Sequence, residues 1–187
     1  MLVLKFGGTS VGSIEGLNNL KKIVESHQRP CIVVVSAITG VTNMLIDIFA
    51  KAVSPGSKYK DDLALVKEKH LELAQAMLTE QNYNAFKEEL EDDFEKLESL
   101  LSSVSIMRNR LKNLEDHVLS MGEQFSSKMI VRMFEDAVRI DGRELIVTKK
   151  SGDASQILWD ETCKNVNEAF QNFNSLAVLP GFCGRPP

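Results

Sequence analysis

Residues Cys31-Ile-Val-Val-Val35 form an apolar, β-branched run with no polar break. A strand with one wet face alternates polar and apolar residues. An unbroken run therefore points to a strand buried on both faces, as in a parallel sheet covered by helices above and below. The flanking sequence agrees. Leu2 to Phe6 is a second short apolar run, interrupted only by Lys5 and ended sharply by Gly7-Gly8. Ile14 to Glu25 sets Leu17, Leu20, Ile23 and Val24 on one helical face, and Val41 to Val53 does the same through Leu45, Ile48, Phe49 and Ala52. Strand, helix, strand, helix at these lengths is a βαβ unit.

The middle of the chain has a different character. Glycine and proline are both absent from Ser57 through Met121, and Lys58 to Glu98 carries six lysines against twelve Asp and Glu. Leu63, Val66, His70, Leu73 and Met77 mark one helical face, and Phe86, Leu90, Phe94 and Leu97 another. This reads as a helical insertion, about 57–119: two antiparallel helices, then a third from about Ser105 to Leu119 through Met107, Leu111, Leu114 and Val118. The acidic run Glu88 to Glu98 is expected to be a solvated face. After Met121-Gly122 a further helix is expected over Glu123 to Glu135, then a short strand at Val138 to Asp141, a helix at Glu161 to Phe173 and a strand at Leu176 to Leu179, ended by Pro180-Gly181.

Composition narrows the function classes. The chain has 187 residues, 43% apolar and 26% charged, with a net charge of −4, which suits one ordinary globular domain. A mildly acidic balance provides no field for DNA or RNA. The longest apolar run, Cys31 to Val35, is far too short to span a bilayer, and Met1 is followed by no basic n-region or cleavage site. Cys31, Cys163 and Cys183 are scattered and outside any ligand spacing, so neither a disulfide framework nor a structural zinc site is expected. His27, His70 and His117 are isolated and read as surface or boundary residues. A reducing cytoplasm fits best.

The residues best placed for chemistry are Lys5-Phe6-Gly7-Gly8-Thr9-Ser10. Two glycines let backbone N–H groups approach an anion without Cβ interference. Thr9 and Ser10 add hydroxyls, the next helix brings its N-terminus, and strand alternation aims Lys5 at the same crevice. The arrangement suits a phosphate cradle, although it is neither GxxxxGK[ST] nor GxGxxG. The same residues equally suit a plain strand-to-helix turn with an exposed lysine.

The string KFGGTSVGS at 5–13 resembles the opening signature of the aspartate kinases, within the amino-acid kinase family. Further motifs follow in the same order. Val33-Val34-Val35-Ser36-Ala37 is similar to the family's second strand, with Gly40-Val41-Thr42-Asn43 at a helix entry. Ser120-Met121-Gly122-Glu123 resembles its S-x-G-E segment, Gly142-Arg143-Glu144-Leu145-Ile146 a later element, and Pro180-Gly181-Phe182-Cys183-Gly184 its PGFxG turn.

That resemblance implies a three-layer α/β/α sandwich with a mainly parallel sheet. It implies ATP-dependent phosphorylation of the β-carboxylate of L-aspartate to 4-phospho-L-aspartate, the first step toward lysine, threonine and methionine, with Mg2+ on the phosphates. Carried over by position, Lys5 is the catalytic residue, and Lys5, Gly7, Gly8, Thr9 and Ser10 hold the phosphoryl group. Ser36, Thr42 and Glu123 grip aspartate, Glu123 at its α-ammonium, and Phe182 borders the pocket. Each residue also has a plainer role. Ser120 and Glu123 form an S-x-x-E capping box, Ser36 ends a strand, Thr42 starts a helix, and Phe182 suits a core position equally well.

Members of the family continue past PGFxG into a segment resembling T-T-L-G-R-G-G-S-D, then a nucleotide lobe and ACT domains, whereas this sequence reads Arg185-Pro186-Pro187. The expectation is therefore an N-terminal lobe with the C-terminal lobe missing, incomplete ATP and Mg2+ sites, and little activity alone. An exposed sheet edge would then favour a homo-oligomer or pairing with a C-terminal partner region. The alternative is a non-catalytic amino-acid-binding or subunit-pairing protein.

Overall fold

The computed structural model describes all residues except 55, 57, 152, 153, 186 and 187. The expected start of the insertion at Ser57 and the terminal Pro186-Pro187 thus lie outside the described residues.

Four strands form one parallel sheet in the order β1 (Leu2–Phe6), β2 (Cys31–Val35), β6 (Leu176–Pro180) and β3 (Ala137–Arg139). Lys5 is level with Val34, and Val35 with Pro180, so the C-terminal ends of β1, β2 and β6 lie side by side. The two faces of β2 and β6 separate cleanly. Cys31, Val33, Val35, Leu176 and Val178 face a large core, while Ile32, Ala177 and Leu179 face a smaller one. The large core is capped by α2 (Ile14–Glu25), α3 (Val41–Val53), α4 (Lys60–Met77), α5 (Glu80–Met107) and α6 (Lys112–Val131). The smaller is capped by α7 (Gly142–Leu145) and α8 (Trp159–Phe170). A hairpin of β4 (Thr148–Ser151) and β5 (Ala154–Ile157) lies apart from the sheet. The result is an α/β fold of three layers, as the unbroken run at Cys31–Val35 requires.

Local signals set several boundaries. Ser13 caps α2 by accepting from the Gly16 amide at 3.1 Å. Phe49, Phe86 and Phe125 are fully buried, each contributing about 1.5–3 kcal/mol through removal of apolar surface from water. A single turn, α1 (Gly8–Val11), precedes α2 and was not signalled by periodicity.

The middle of the chain departs from its sequence pattern in four ways. The expected third helix and the expected Glu123–Glu135 helix are one continuous helix, α6, while α5 runs on to Met107. Leu119, the expected end of the insertion, therefore falls inside α6 rather than at an element boundary. Gly122 does not break that helix, because it is where the helix touches the loop after β2: a Cβ there would sit 2.8 Å from the Ala37 Cβ. Ser120 and Glu123 accordingly form no capping box; Ser120 Oγ donates to the His117 carbonyl at 2.8 Å, inside the helix. His70 is a core residue with no exposure, its ring edge-on to Phe125 with centroids 5.4 Å apart. Finally, the acidic run is only partly a solvated face. Asp93 and Glu89 turn toward α6, where Lys128 Nζ lies 2.5 Å from Asp93 and 2.9 Å from Glu89.

Candidate functional site

Parallel α/β sheets bind ligands beyond the C-terminal ends of their strands, where loops converge. Here the loops after β1, β2 and β6 meet at that edge. The Ser36 amide donates to the Phe6 carbonyl at 3.1 Å, and the Gly181 amide to the Val35 carbonyl at 2.8 Å. Gly8 is held against the loop after β2, since a Cβ on it would lie 3.0 Å from the Ala37 carbonyl oxygen. Gly7 faces open space, with nothing within 4 Å of where its Cβ would be. The one-turn helix α1 uses the amides of Ser10 and Val11 on the Gly7 carbonyl, which leaves those of Gly8 and Thr9 at its open end.

Helix α6 closes the site from the large-core side. Ser126 Oγ donates to the Ser36 carbonyl at 2.8 Å, fixing the helix against the end of β2. This brings Glu123 beneath the loop at Ala37. Its carboxyl is buried, 8% exposed, and Oε2 has no hydrogen-bond partner. Burial pushes the Glu123 carboxyl above the usual carboxylate range; the amides of Glu123 and Ala37 and the Lys5 ammonium oppose that shift. Lys5 is exposed and lies on the sheet face opposite α6, in register with Val34, yet its charge reaches Glu123. A buried anion with a free lone pair is costly unless a cation or donor completes it.

The remaining candidates divide. Ser36 is half-buried directly after β2, whereas Thr42 is exposed in the first turn of α3 and caps nothing, the cap being Gly40 at φ +83°. Phe182 is 62% exposed, so it is no core residue and stands free at the turn after β6. Thr9 and Ser10 line a separate hollow of about 320 Å³ with Phe6, Ser13 and Gly16, which leaves them apart from Glu123. A larger cleft of about 640 Å³ lies elsewhere, between α5, the end of α6 and β3. Among the described residues no group of three or more His, Cys, Asp or Glu side chains could hold a metal ion, and no helix is long and apolar enough to cross a membrane.

Two polar groups near the turn after β6 carry no signal in the sequence pattern. Gln124, 3% exposed, donates from Nε2 to Cys183 Sγ at 3.0 Å and accepts from the Arg139 guanidinium. Asp141 accepts from the Arg143 side chain at 2.5 Å and from its amide at 3.0 Å. The only hint of the first was the adjacency of Gln124 to Glu123; strand periodicity says nothing of what Arg139 will meet.

Comparison with known proteins gives a consistent set of relatives. The model of the amino acid kinase family matches residues 1–187. A chloroplastic bifunctional aspartokinase/homoserine dehydrogenase of Daucus carota is 33% identical over 191 residues, covering 98% of this chain and 21% of the relative. An aspartokinase of Chlamydia trachomatis is 32% identical over 151 residues, 79% of this chain and 32% of the relative. The crystal structure of E. coli aspartokinase III in complex with lysine and aspartate superposes with a TM-score of 0.85 at 23% identity, covering 98% of this chain and 41% of that one. The chain thus spans about a fifth to two-fifths of the length of these relatives.

Proposed function

The chain belongs to the amino acid kinase family, and from that premise we propose that it supplies the aspartate pocket and part of the phosphate site of an aspartate kinase. In this reading the γ-phosphoryl group of ATP passes to the β-carboxylate of L-aspartate, giving 4-phospho-L-aspartate and ADP and opening the route to lysine, threonine and methionine. The observation that carries the reading is the buried Glu123 carboxylate with its unpartnered Oε2 at the loop-bearing edge of the sheet. Such an oxygen calls for a cationic donor, and the α-ammonium of an amino acid is one. The relatives named as aspartokinases, and a solved E. coli aspartokinase III bound to aspartate and ADP, favour aspartate as that amino acid and ATP as the donor.

The chemistry asks little of the protein beyond placement and charge. Aspartate's β-carboxyl, with an ordinary pKa of about 3.9, is ionised at neutral pH and needs no general base. One of its oxygens attacks the γ-phosphorus while the bond to ADP breaks. The task is to align two anions and neutralise charge on the phosphoryl oxygens. Lys5 and the open amides of Gly8 and Thr9, beside the unobstructed Gly7, serve the phosphoryl group, with Ser10 at the margin of that loop. Glu123 takes the α-ammonium, Ser36 and Thr42 offer hydroxyls to the substrate, and Phe182 borders the pocket. The described residues offer no carboxylate cluster for Mg2+, so no step is assigned to a protein-held metal ion. We place the protein in the cytoplasm, where a reducing medium keeps Cys31, Cys163 and Cys183 as free thiols.

Because the chain spans only part of its relatives, the 187 residues by themselves are expected to turn over little ATP. A second reading, amino-acid binding and pairing without catalysis, is favoured by β1, which among the described residues pairs only with β2 and leaves its other edge to a neighbouring strand. Titration calorimetry with L-aspartate tests the pocket. Heat that saturates for the native chain and vanishes in Glu123→Gln is the expected result; undiminished binding in that variant overturns the role of Glu123. Aspartyl-hydroxamate formation with ATP, Mg2+ and hydroxylamine tests the expected incompleteness: little or no turnover is expected of the isolated chain, and steady turnover would overturn both that expectation and the second reading.

A further inference from the structure

Beside Glu123 runs a relay that joins three distant parts of the chain. Arg139, on the edge strand β3, donates from Nε to Ser127 Oγ at 3.0 Å and from its terminal nitrogen to Gln124 Oε1. An arginine has no acceptor, so the end of the Gln124 carboxamide facing it must be the oxygen. That settles the other end. Gln124 Nε2 points at the turn after β6 and donates to Cys183 Sγ at 3.0 Å. On its far side the same cysteine packs against the start of α7, where a Cβ on Gly142 would lie 3.2 Å from the Cys183 Cβ. The turn is therefore clamped by van der Waals contact on one side and by a directed hydrogen bond on the other. Phe182, the exposed ring at the pocket border, is the residue immediately before the clamp.

We propose that Gln124, oriented by Arg139, is a positioning residue that holds Cys183 and with it the Gly181–Gly184 turn in register beside the Glu123 carboxylate, so that affinity for the amino-acid ligand depends on a hydrogen bond to sulfur. The proposal rests on reading Glu123 as the ammonium-binding group. Burial pushes the Cys183 thiol up to about 11, so it stays neutral and adds no second negative charge beside Glu123. It serves as an acceptor, not as a nucleophile.

The 187-residue chain and four variants test this: Gln124→Met, Cys183→Ala, their double variant, and Cys183→Ser. Two readouts are needed, hydrogen exchange of the 181–184 segment by mass spectrometry and calorimetric titration with L-aspartate. Gln124→Met and Cys183→Ala are each expected to speed exchange in that segment severalfold and to weaken aspartate roughly fivefold to tenfold, the scale of one hydrogen bond. The double variant is expected to be no worse than either single one, because both remove the same bond. Cys183→Ser is expected to restore both readouts, since its hydroxyl oxygen accepts from Nε2, whereas a purely packing role would leave serine no better than alanine. Unchanged exchange, no serine rescue, or losses that multiply in the double variant would overturn the proposal. Should Gln124→Met not fold, the alanine–serine pair decides alone. A native chain that binds no aspartate while exchange behaves as expected defeats the amino-acid reading and leaves the clamp standing.

Discussion

Lowering the pH should destabilise this fold through His70. The ring is fully buried on α4; Nδ1 lies 2.7 Å from the Val66 carbonyl, Nε2 has no partner, and Phe125 meets it edge-on. Only the neutral form suits that site, and burial lowers its pKa from 6.5 to about 4. In the unfolded chain His70 takes up a proton as pH falls through 6.5, while the folded protein resists until about 4. The unfolded state therefore binds more protons across that interval. Stability is full above it and is lost as pH falls. At about 1.36 kcal/mol per unit the loss is roughly 1 kcal/mol at pH 5.5 and roughly 2–3 kcal/mol at pH 4.5. Urea denaturation of the native chain and of His70→Met, at several pH values from about 7.5 to 4.5, reads the difference directly. The acidic groups contribute equally to both proteins and cancel. Two proteins that lose stability in parallel would show that the ring is accommodated in its charged form, and the reasoning would fail.

Three other expectations follow from geometry. Gly122→Ala should cost about 1–3 kcal/mol in urea denaturation, since its Cβ would press on Ala37 at 2.8 Å and on Val41 Cγ1 at 3.3 Å; an unchanged midpoint would mean that α6 can move away freely. Lys128→Met leaves Asp93 and Glu89 without their shared cation and should cost about 3 kcal/mol, most of it recovered in Lys128→Met/Asp93→Leu, while Lys51→Ala, at an exposed pair, should change little. Aspartate affinity, measured calorimetrically, should fall as pH drops through the raised range of Glu123, because only the ionised carboxylate pairs with an ammonium; a flat profile there would argue that another group holds the ligand.

The strand ends were legible. Lys5, Gly7, Gly8 and Ser36 lie at or just after the ends of β1 and β2, and those ends are marked in the sequence by glycine and by the limits of apolar runs; Glu123 reaches the same edge from within α6, which no local signal marks. Thr9 and Ser10 follow the same motif but turn into another hollow, because the chain winds into α1 immediately after Gly7. A motif specifies spacing, not which way each side chain leaves the backbone.

Sequence by itself determined the layers: an unbroken apolar strand demands cover on both faces, and amphipathic spacing of three and four residues supplies the helices. Both are local rules, readable within a dozen residues. Tertiary structure alone decided that Gly122 sits mid-helix against Ala37, that β6 enters the sheet between β2 and β3, and that His70 lies in the core. It also decided that Gln124 meets both Arg139 and Cys183. Those outcomes depend on which distant surfaces fit and which polar groups find partners once water is excluded, and no local periodicity encodes either.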